Sequence, residues 1–457
     1  MKVKLILALL LGRAVRLLSR LLHRGGTDMP GRLALKLCPE LLSILARDVK
    51  SVAITGTNGK TTSARMIEQA FADQGLSYFA NRSGANLISG ITTEFIMNAD
   101  LLGRPKKEYA VIESDEAAAK KVFPQLKPRV VVVTNLFRDQ LDRYGEVTHT
   151  LSNIREAVSG APEAILCLNA DCSLTASLAG DLPNRVVWFG IEPGAAPSRP
   201  RPEISDATHC LRCKTEYEYD YITYGHLGGF RCPRCGYRRP AADYAVTDVV
   251  ERRADGSSVV MSLRGDRQVV QINLPAMYNI YNAVGSVAAV AEMGLDCKAA
   301  AEALSRFHCG FGRMETFPLG RAGSRMMLVK NPAGCNQVLE FLESITDRFV
   351  LVVCLNDRDA DGTDISWIWD ADFELLTGLG SRLEKLIVSG DRAADMRVRV
   401  KYAGVPEQRI QEQRDYEALV LSLESETLPV FLMPTYTAML ELRQAVIRRC
   451  GGDDFWV

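Results

Sequence analysis

The sequence predicts two α/β domains: a larger one built on a phosphate-binding loop and carrying an inserted four-cysteine zinc ribbon, and a smaller C-terminal one. Three observations carry this expectation. From Lys50 onward, short apolar strands alternate with helical periodicity. Residues 54–62 read ITGTNGKTT between a strand and a helix. Cys210, Cys213, Cys232 and Cys235 are spaced C-x2-C-x18-C-x2-C.

The 457 residues suffice for several domains at roughly 150 residues each. Lys+Arg and Asp+Glu both number 55, so the formal net charge is zero. That balance argues against a large basic nucleic-acid surface and excludes an acidic disordered scaffold. The first 22 residues place Lys2 and Lys4 ahead of the apolar run Leu5–Leu11, with Arg13, Arg16 and Arg20 following. No small-residue cleavage site follows, and the run is shorter than the about 20 residues that span a bilayer. The segment reads as an amphipathic helix that either packs on the neighbouring domain or lies against a membrane surface. The twelve cysteines do not form an extracellular framework, and Cys167 and Cys354 sit in apolar runs. A reducing, cytoplasmic setting fits, extended to the inner face of the cell membrane if the first helix touches lipid.

Val52–Thr55, Tyr109–Ile112, Val130–Thr134 and Ala164–Leu168 read as buried parallel strands, with helices at Thr61–Gln74 and Val147–Val158. Pro193–Pro202 marks a break before a Tyr- and Cys-rich insert that runs to about Arg239. Strand patterns return at Tyr244–Val250, Ser258–Leu263 and Val269–Leu274, and Ile280–Met293 is helical. A second α/β unit starts near Arg313, with strands Phe349–Leu355, Lys385–Ser389 and Val430–Met433 and a closing helix Tyr436–Arg449. This divides the chain into an N-terminal helical segment (1–45), an ATP-binding domain (46–310, ribbon at about 205–240) and a C-terminal domain (311–457), with the boundary in the Cys309–Gly312 stretch.

Backbone N–H groups of such a glycine loop, with a helix N-terminus behind them, can cradle phosphate oxygens, so Thr57, Asn58, Gly59 and Thr62 are candidate nucleotide-binding residues. Lys60 would neutralise the β- and γ-phosphates, and the Thr61 hydroxyl would ligate Mg²⁺. Ile54 stands where the usual Walker motif has its first glycine. The shorter G-T-x-G-K-T-[ST] form resembles that of the Mur ligases and folylpolyglutamate synthases. Further matches extend the resemblance. Glu113 resembles that family's magnesium-binding glutamate, Thr134–Arg143 its TN-x-x-x-DH-x-DR segment, and Leu168–Asp171 its NADD stretch. Asn279 and Asn282 resemble the adenine-side HN-x-x-N-A helix start, and Arg313 the arginine that reaches the nucleotide from the C-terminal domain. The resemblance implies ATP-driven formation of an acyl phosphate that an amine converts to an amide.

Three departures narrow it. Only about fifty residues precede the loop, so the family's UDP-binding domain is not seen. Gln140 replaces a magnesium-ligating histidine. Lys330-Asn331-Pro332 stands where other members place an aspartate before Asn-Pro.

Four thiolates at the ribbon spacing can close a tetrahedron around a structural Zn²⁺, leaving no open catalytic position, with His209 and His226 as bystanders. Mur core, four-cysteine ribbon and the segments Lys330–Gly334 and Asp361–Asp370 together resemble the MurT family, the synthetase subunits of glutamine-dependent lipid II isoglutaminyl synthases. That resemblance implies amidation of the α-carboxylate of D-glutamate in the lipid II stem peptide, with ammonia from a glutaminase subunit, GatD. It also implies that Asp364, among Asp357, Asp359, Asp361 and Asp370, completes the Cys–His pair of that partner, flanked by Trp367 and Trp369 at the interface. No cysteine here sits in a G-x-C-x-G elbow, and the adjacent His308 and Cys309 do not make a triad. Other readings are a ligase that joins an amino acid to a folate-like or peptide carboxylate, and a zinc-ribbon binding protein that uses ATP as a switch.

Overall fold

The computed structural model describes residues 2–21, 27–81, 84–138, 147–180, 182–200, 206–253, 255–308 and 312–451. Gln140 and the rest of 139–146, together with Cys309 in the expected boundary stretch, lie outside the described residues. The chain divides into two compact units. The first comprises 1–137, 147–273 and 277–307, and the second is built mainly from 308 onward.

The first unit is organised on a nine-stranded sheet in the order β11-β10-β9-β6-β5-β4-β1-β3-β2. Its strands are β1 Lys50–Thr55, β2 Tyr78–Ala80, β3 Tyr109–Glu113, β4 Val130–Val133, β5 Ile165–Asn169, β6 Val186–Ile191, β9 Tyr244–Arg252, β10 Ser257–Leu263 and β11 Asp266–Ile272. From β2 to β9 neighbours pair in parallel, and β10 and β11 add antiparallel. β3 and β4 are buried at every residue, the pattern expected of parallel strands covered by helices on both faces. The remaining two strands, β7 Glu218–Tyr224 and β8 Leu227–Arg231, form a separate hairpin inside the cysteine insert.

The longer helices before β5 among the described residues are α1 Lys2–Leu21, α2 Met29–Leu37, α3 Leu41–Ala46, α4 Lys60–Asp73, α5 Ile88–Met97, α6 Glu116–Leu126 and α7 Val147–Ser159. Two more follow the sheet, α8 Met277–Glu292 and α9 Cys297–Ala303. α8 begins three residues before the expected Ile280, which puts Asn279 inside its first turn.

The chain visits β1, then the edge strand β2, returns to β3 beside β1, and crosses to β4 on the other side of β1. Such a reversal opens a crevice at the carboxyl ends of the strands, the place where open α/β sheets bind ligands. Register brings Ile54 opposite Glu113 and Thr55 opposite Val133. The phosphate loop, the end of β3 and the start of the Thr134 segment therefore meet at the carboxyl ends of three adjacent interior strands.

The second unit holds a six-stranded sheet, β12-β13-β17-β14-β15-β16: β12 Arg313–Phe317, β13 Ser324–Met327, β14 Phe349–Cys354, β15 Leu383–Ser389, β16 Ile410–Glu412 and β17 Val430–Pro434. Only β12 pairs antiparallel, and the reversal of strand order falls between β14 and β17. The longer helices of this unit are α10 Pro332–Glu343, α11 Ala393–Tyr402, α12 Tyr416–Leu423 and α13 Tyr436–Cys450, of which the sequence predicts only the last. The sequence does not predict the short strands β2, β13 and β16, the longer β6 and β12, or the hairpin strands β7 and β8. A three-residue segment has too few positions to display a period, and its pairing is set by neighbours.

Candidate active site

Gly59 ends the phosphate loop at a left-handed φ of 86°, and α4 starts at the next residue. A Cβ on Gly59 would lie 2.1 Å from Asn282 Oδ1, so glycine is required both by the backbone and by the approach of α8. Gly56, at φ 119°, lies equally close to the Thr134 segment: a Cβ there would meet Thr134 Oγ1 at 2.4 Å. The segment after β4 then fixes the loop by direct hydrogen bonds. Thr57 N–H donates to Asn135 O at 2.9 Å, and Asn58 N–H to Asn135 Oδ1 at 3.0 Å. The Thr134 hydroxyl donates to Asn58 O at 2.7 Å, and Thr57 Oγ1 accepts from Phe137 N–H at 3.0 Å.

Lys60 Nζ donates to Gly56 O at 2.6 Å and to Glu116 Oε1 at 2.8 Å, with both side chains nearly buried. Glu116 was not anticipated as part of the site. It is aimed at the loop because Asp115 caps α6, accepting from Ala117 N–H at 3.0 Å, which starts the helix at Glu116 itself. The Thr61 hydroxyl donates to Glu113 Oε2 at 2.7 Å, joining the two residues expected to bind Mg²⁺. Glu113 is held in turn by Asn81, whose Oδ1 accepts the Glu113 N–H at 2.8 Å and whose Nδ2 donates to Glu113 O at 2.7 Å. Asn282 Nδ2 donates to Asn279 Oδ1 at 3.3 Å, and both are buried at the start of α8. Of the nucleotide residues expected from sequence, Thr57, Asn58, Gly59, Lys60, Thr61, Thr62, Glu113, Asn279 and Asn282 thus lie in the first unit. Arg313 opens β12 in the second.

Asn331, from the departing Lys330–Pro332 segment, has a local role. Its Oδ1 accepts Gly334 N–H at 2.8 Å, capping α10 with Pro332 at the first helical position.

The four insert sulfurs lie within 4.8 Å of one another, and the close pairs Cys210–Cys235 and Cys213–Cys232 stand at 3.5 and 3.4 Å. Tetrahedral Zn–S bonds of about 2.3 Å require sulfur separations of about 3.8 Å, so the cluster fits that ion. His209 and His226 stand apart from it. His226 is buried against Cys172, with Nε2 at 3.4 Å from Sγ, and against the Phe137 ring. All described cysteines are free of disulfides. Tyr217, Phe230 and Tyr237 pack with Cys210 and Cys232 into a small apolar core of the ribbon.

Asp171, fully buried, ties this ribbon to the main sheet. Its carboxylate accepts from Arg239 Nε at 2.6 Å, Ile191 N–H at 2.9 Å and the Tyr281 hydroxyl at 2.5 Å. Its carbonyl oxygen accepts Gly228 N–H from β8 at 2.9 Å. Asp171→Asn leaves the nearly buried Arg239 with only the partly exposed Glu192, at 3.3 Å, as counterion and is expected to cost about 3 kcal/mol of stability. Urea unfolding of the two proteins checks this, and an unchanged midpoint would remove the anchor role.

In the second unit, the loop that carries Asp364 hangs from the strand-order reversal. Asp361 Oδ1 accepts Thr437 N–H at 2.7 Å, and the Thr437 hydroxyl also donates to Asp361. Asn356, just past β14, donates from its backbone N–H to Thr435 Oγ1 at 3.0 Å and from Nδ2 to Thr437 Oγ1 at 2.9 Å. Asp364 itself is exposed, and the Ser366 N–H at 2.8 Å holds its carboxyl below the ordinary range, keeping it ionised.

Beside it, Trp369 is half exposed, edge-on to Tyr402 at 5.9 Å and beneath the Arg399 guanidinium at 5.3 Å; Trp367 is more enclosed. Buried Arg399 also donates to Ile368 O at 2.9 Å and Ala371 O at 2.8 Å and pairs with Glu374 at 2.7 Å, fixing the turn that presents Trp369. Asp357 pairs with Arg392 at 2.8 Å. Of the five clustered aspartates, Asp361 is thus a loop anchor, Asp357 is ion-paired and Asp364 is presented outward.

Comparison with known proteins matches residues 54–230 to the Mur ligase middle domain and 328–439 to the MurT ligase C-terminal domain. Lipid II isoglutaminyl synthase (glutamine-hydrolyzing) subunit MurT of Streptococcus pneumoniae is 34% identical over 450 residues, covering 98% of both chains. The subunit of the same name from Staphylococcus aureus is 32% identical over 448 residues, covering 97% of this chain and 98% of its own. Among solved structures, MurF from Acinetobacter baumannii superposes with a TM-score of 0.67 at 15% identity, covering 92% of this chain and 81% of that one. A pseudomurein peptide ligase type C from Methanothermus fervidus gives 0.66 at 21% identity, covering 88% and 79%. These two show the fold.

Proposed function

The chain belongs to the MurT family of Mur-type ligases, and from that premise we propose that it amidates the α-carboxylate of D-glutamate in the lipid II stem peptide to D-isoglutamine, with ATP as the activating substrate. The observation that carries the reading is the clustering of Lys60, Thr61 and Glu113 at the β1–β3–β4 crevice in a chain alike along its whole length to isoglutaminyl synthase subunits.

Carboxylate oxygen is a poor leaving group; Mg²⁺-ATP, when bound, supplies the phosphoryl group that makes it a good one. Thr57–Thr62 would hold the β- and γ-phosphates, with Lys60 offsetting their charge and Glu116 keeping its ammonium at the loop. Thr61 and Glu113 would bind the metal ion and Asn279 and Asn282 the adenine side, and the family resemblance makes Arg313 a further nucleotide contact. GatD, as a heterodimeric partner, would deliver ammonia, with Asp364 orienting its histidine and Trp369 seated in the interface. Zn²⁺ on Cys210, Cys213, Cys232 and Cys235 would hold the ribbon closed.

The reading is tested by amidation of lipid II with ammonium chloride alone and with glutamine plus GatD, followed by mass spectrometry. Both routes are expected to yield carboxamide, and failure of both with purified, folded protein would overturn the reading. A specific rival, transfer of an amino acid in place of ammonia, predicts a heavier product from the same assay.

The ribbon has its own expected result. Cys232→Ser should remove one bound zinc per chain and lower the Tm, because closing the four-sulfur site contributes folding free energy. Zinc content measured with the melting curve decides it. Unaltered Tm in a zinc-free variant would strip the ion of its structural role.

A further inference from the structure

α1 is apolar on two opposite faces. With about 100° between successive residues, Leu5, Ala8, Leu9 and Gly12 fall on one side and are buried. A Cβ on Gly12 would lie 2.9 Å from Ile96 Cδ1, so this face is pressed onto α5. Val3, Leu7, Leu10, Leu17, Leu18 and Leu21 fall on the other side and are 48–70% exposed. With Ala14, also exposed, the steps along this outer stripe alternate between four and three residues, keeping it on one line. An exposed apolar stripe of this length marks an interaction surface.

Charge decides what covers it. α1 contains Lys2, Lys4, Arg13, Arg16 and Arg20 and no acidic residue. Arg13 and Arg16 are tied to the fold, through Ala99 O and Glu94 respectively, while Lys4 and Arg20 are exposed on the flanks of the stripe. A second copy laid stripe to stripe would set cations against cations with no carboxylate on either helix to pair with them. Leucines flanked by lysine and arginine, with no acidic residue among them, are instead the pattern of a helix lying in an anionic lipid interface. Among the described residues, no helix is long and apolar enough to cross a membrane.

We propose that the outer face of α1 docks the protein flat on the anionic surface of a lipid bilayer. The inference deepens the functional reading above and rests on it, since a lipid-linked substrate is presented at such a surface.

The test is flotation of the full chain in complex with GatD, using phosphatidylcholine vesicles with and without phosphatidylglycerol. Binding is expected only with phosphatidylglycerol and should weaken as salt is raised. The outward-facing triple variant Leu7→Ser/Leu10→Ser/Leu17→Ser should reduce the bound fraction about tenfold or more. Lys4→Glu/Arg20→Glu, which leaves the leucines in place, should also reduce it. Both variants should amidate detergent-solubilised lipid II at the wild-type rate and lose activity only on lipid II embedded in vesicles. Wild type that does not float, or a triple variant that floats like wild type, overturns the proposal. Loss of GatD or a change in oligomeric state in the triple variant, with flotation intact, would assign the stripe to a protein partner and also overturn it. No amidation of detergent-solubilised lipid II by wild type would defeat the functional reading while leaving the flotation result to stand by itself.

Discussion

Lys60→Ala is expected to lower amide formation by about a thousandfold or more, equally with ammonium and with glutamine. The ammonium of Lys60 sits at the mouth of the loop, 2.6 Å from Gly56 O and paired with Glu116, and no other lysine stands in residues 54–62. Positive charge placed where phosphoryl oxygens gather charge acts in the transition state more than in the ground state, so its loss falls on kcat. Because activation of the carboxylate precedes attack by nitrogen, the nitrogen source should not matter. Single-turnover measurement of ADP release and of carboxamide separates this from a folding defect, with the Tm of the variant as control. A variant impaired only with glutamine would show that Lys60 serves the partner and not the nucleotide.

Asp364→Asn should behave in the opposite way. Glutamine-dependent amidation is expected to fall by about 10⁴-fold, the loss seen when the acidic member of a triad becomes an amide, while ammonium-dependent amidation stays at the wild-type level. Asp364 is exposed and ionised on a loop anchored through Asp361 to Thr437, so its removal disturbs no buried contact. Glutaminase activity of the complex, read separately from amide formation, completes the test. Equal losses on both routes, or none on either, would remove Asp364 from the partner's chemistry. Asp361→Ala, which releases the loop, should reproduce the split in milder form, since the carboxylate remains but its position is no longer held.

The family motifs were legible because they are local. A glycine loop between strand and helix, two Cys-x-x-Cys pairs and an aspartate-rich loop each lie within a few residues, and their spacing already restricts what they can bind. The long central strands were also legible, since burial on both faces leaves a continuous apolar run, and β14 and β17 end within a residue or two of where the pattern put them. Glu116 was hidden behind its neighbour Glu113, because only the capped start of α6 decides which carboxylate faces Lys60. Asp171 drew notice only through the resemblance of its stretch. Its structural role depends on Arg239, 68 residues away, and on Tyr281, 110 residues away.

Residue types and short spacings, then, sufficed for the fold class, for a glycine loop between strand and helix and for four thiols that come together, whereas the partner role proposed for Asp364 rests on the family resemblance. Tertiary structure alone decided which groups anchor them: Asn135 and Asn282 against the loop, Asp171 under the ribbon, Thr437 and Arg399 behind the Asp364 segment, and an outer face of α1 left uncovered. The physical reason is range. A hydrogen bond or an ion pair is specified by where the backbone returns after many residues, and the order of strands in the sheet, not their composition, fixes that return.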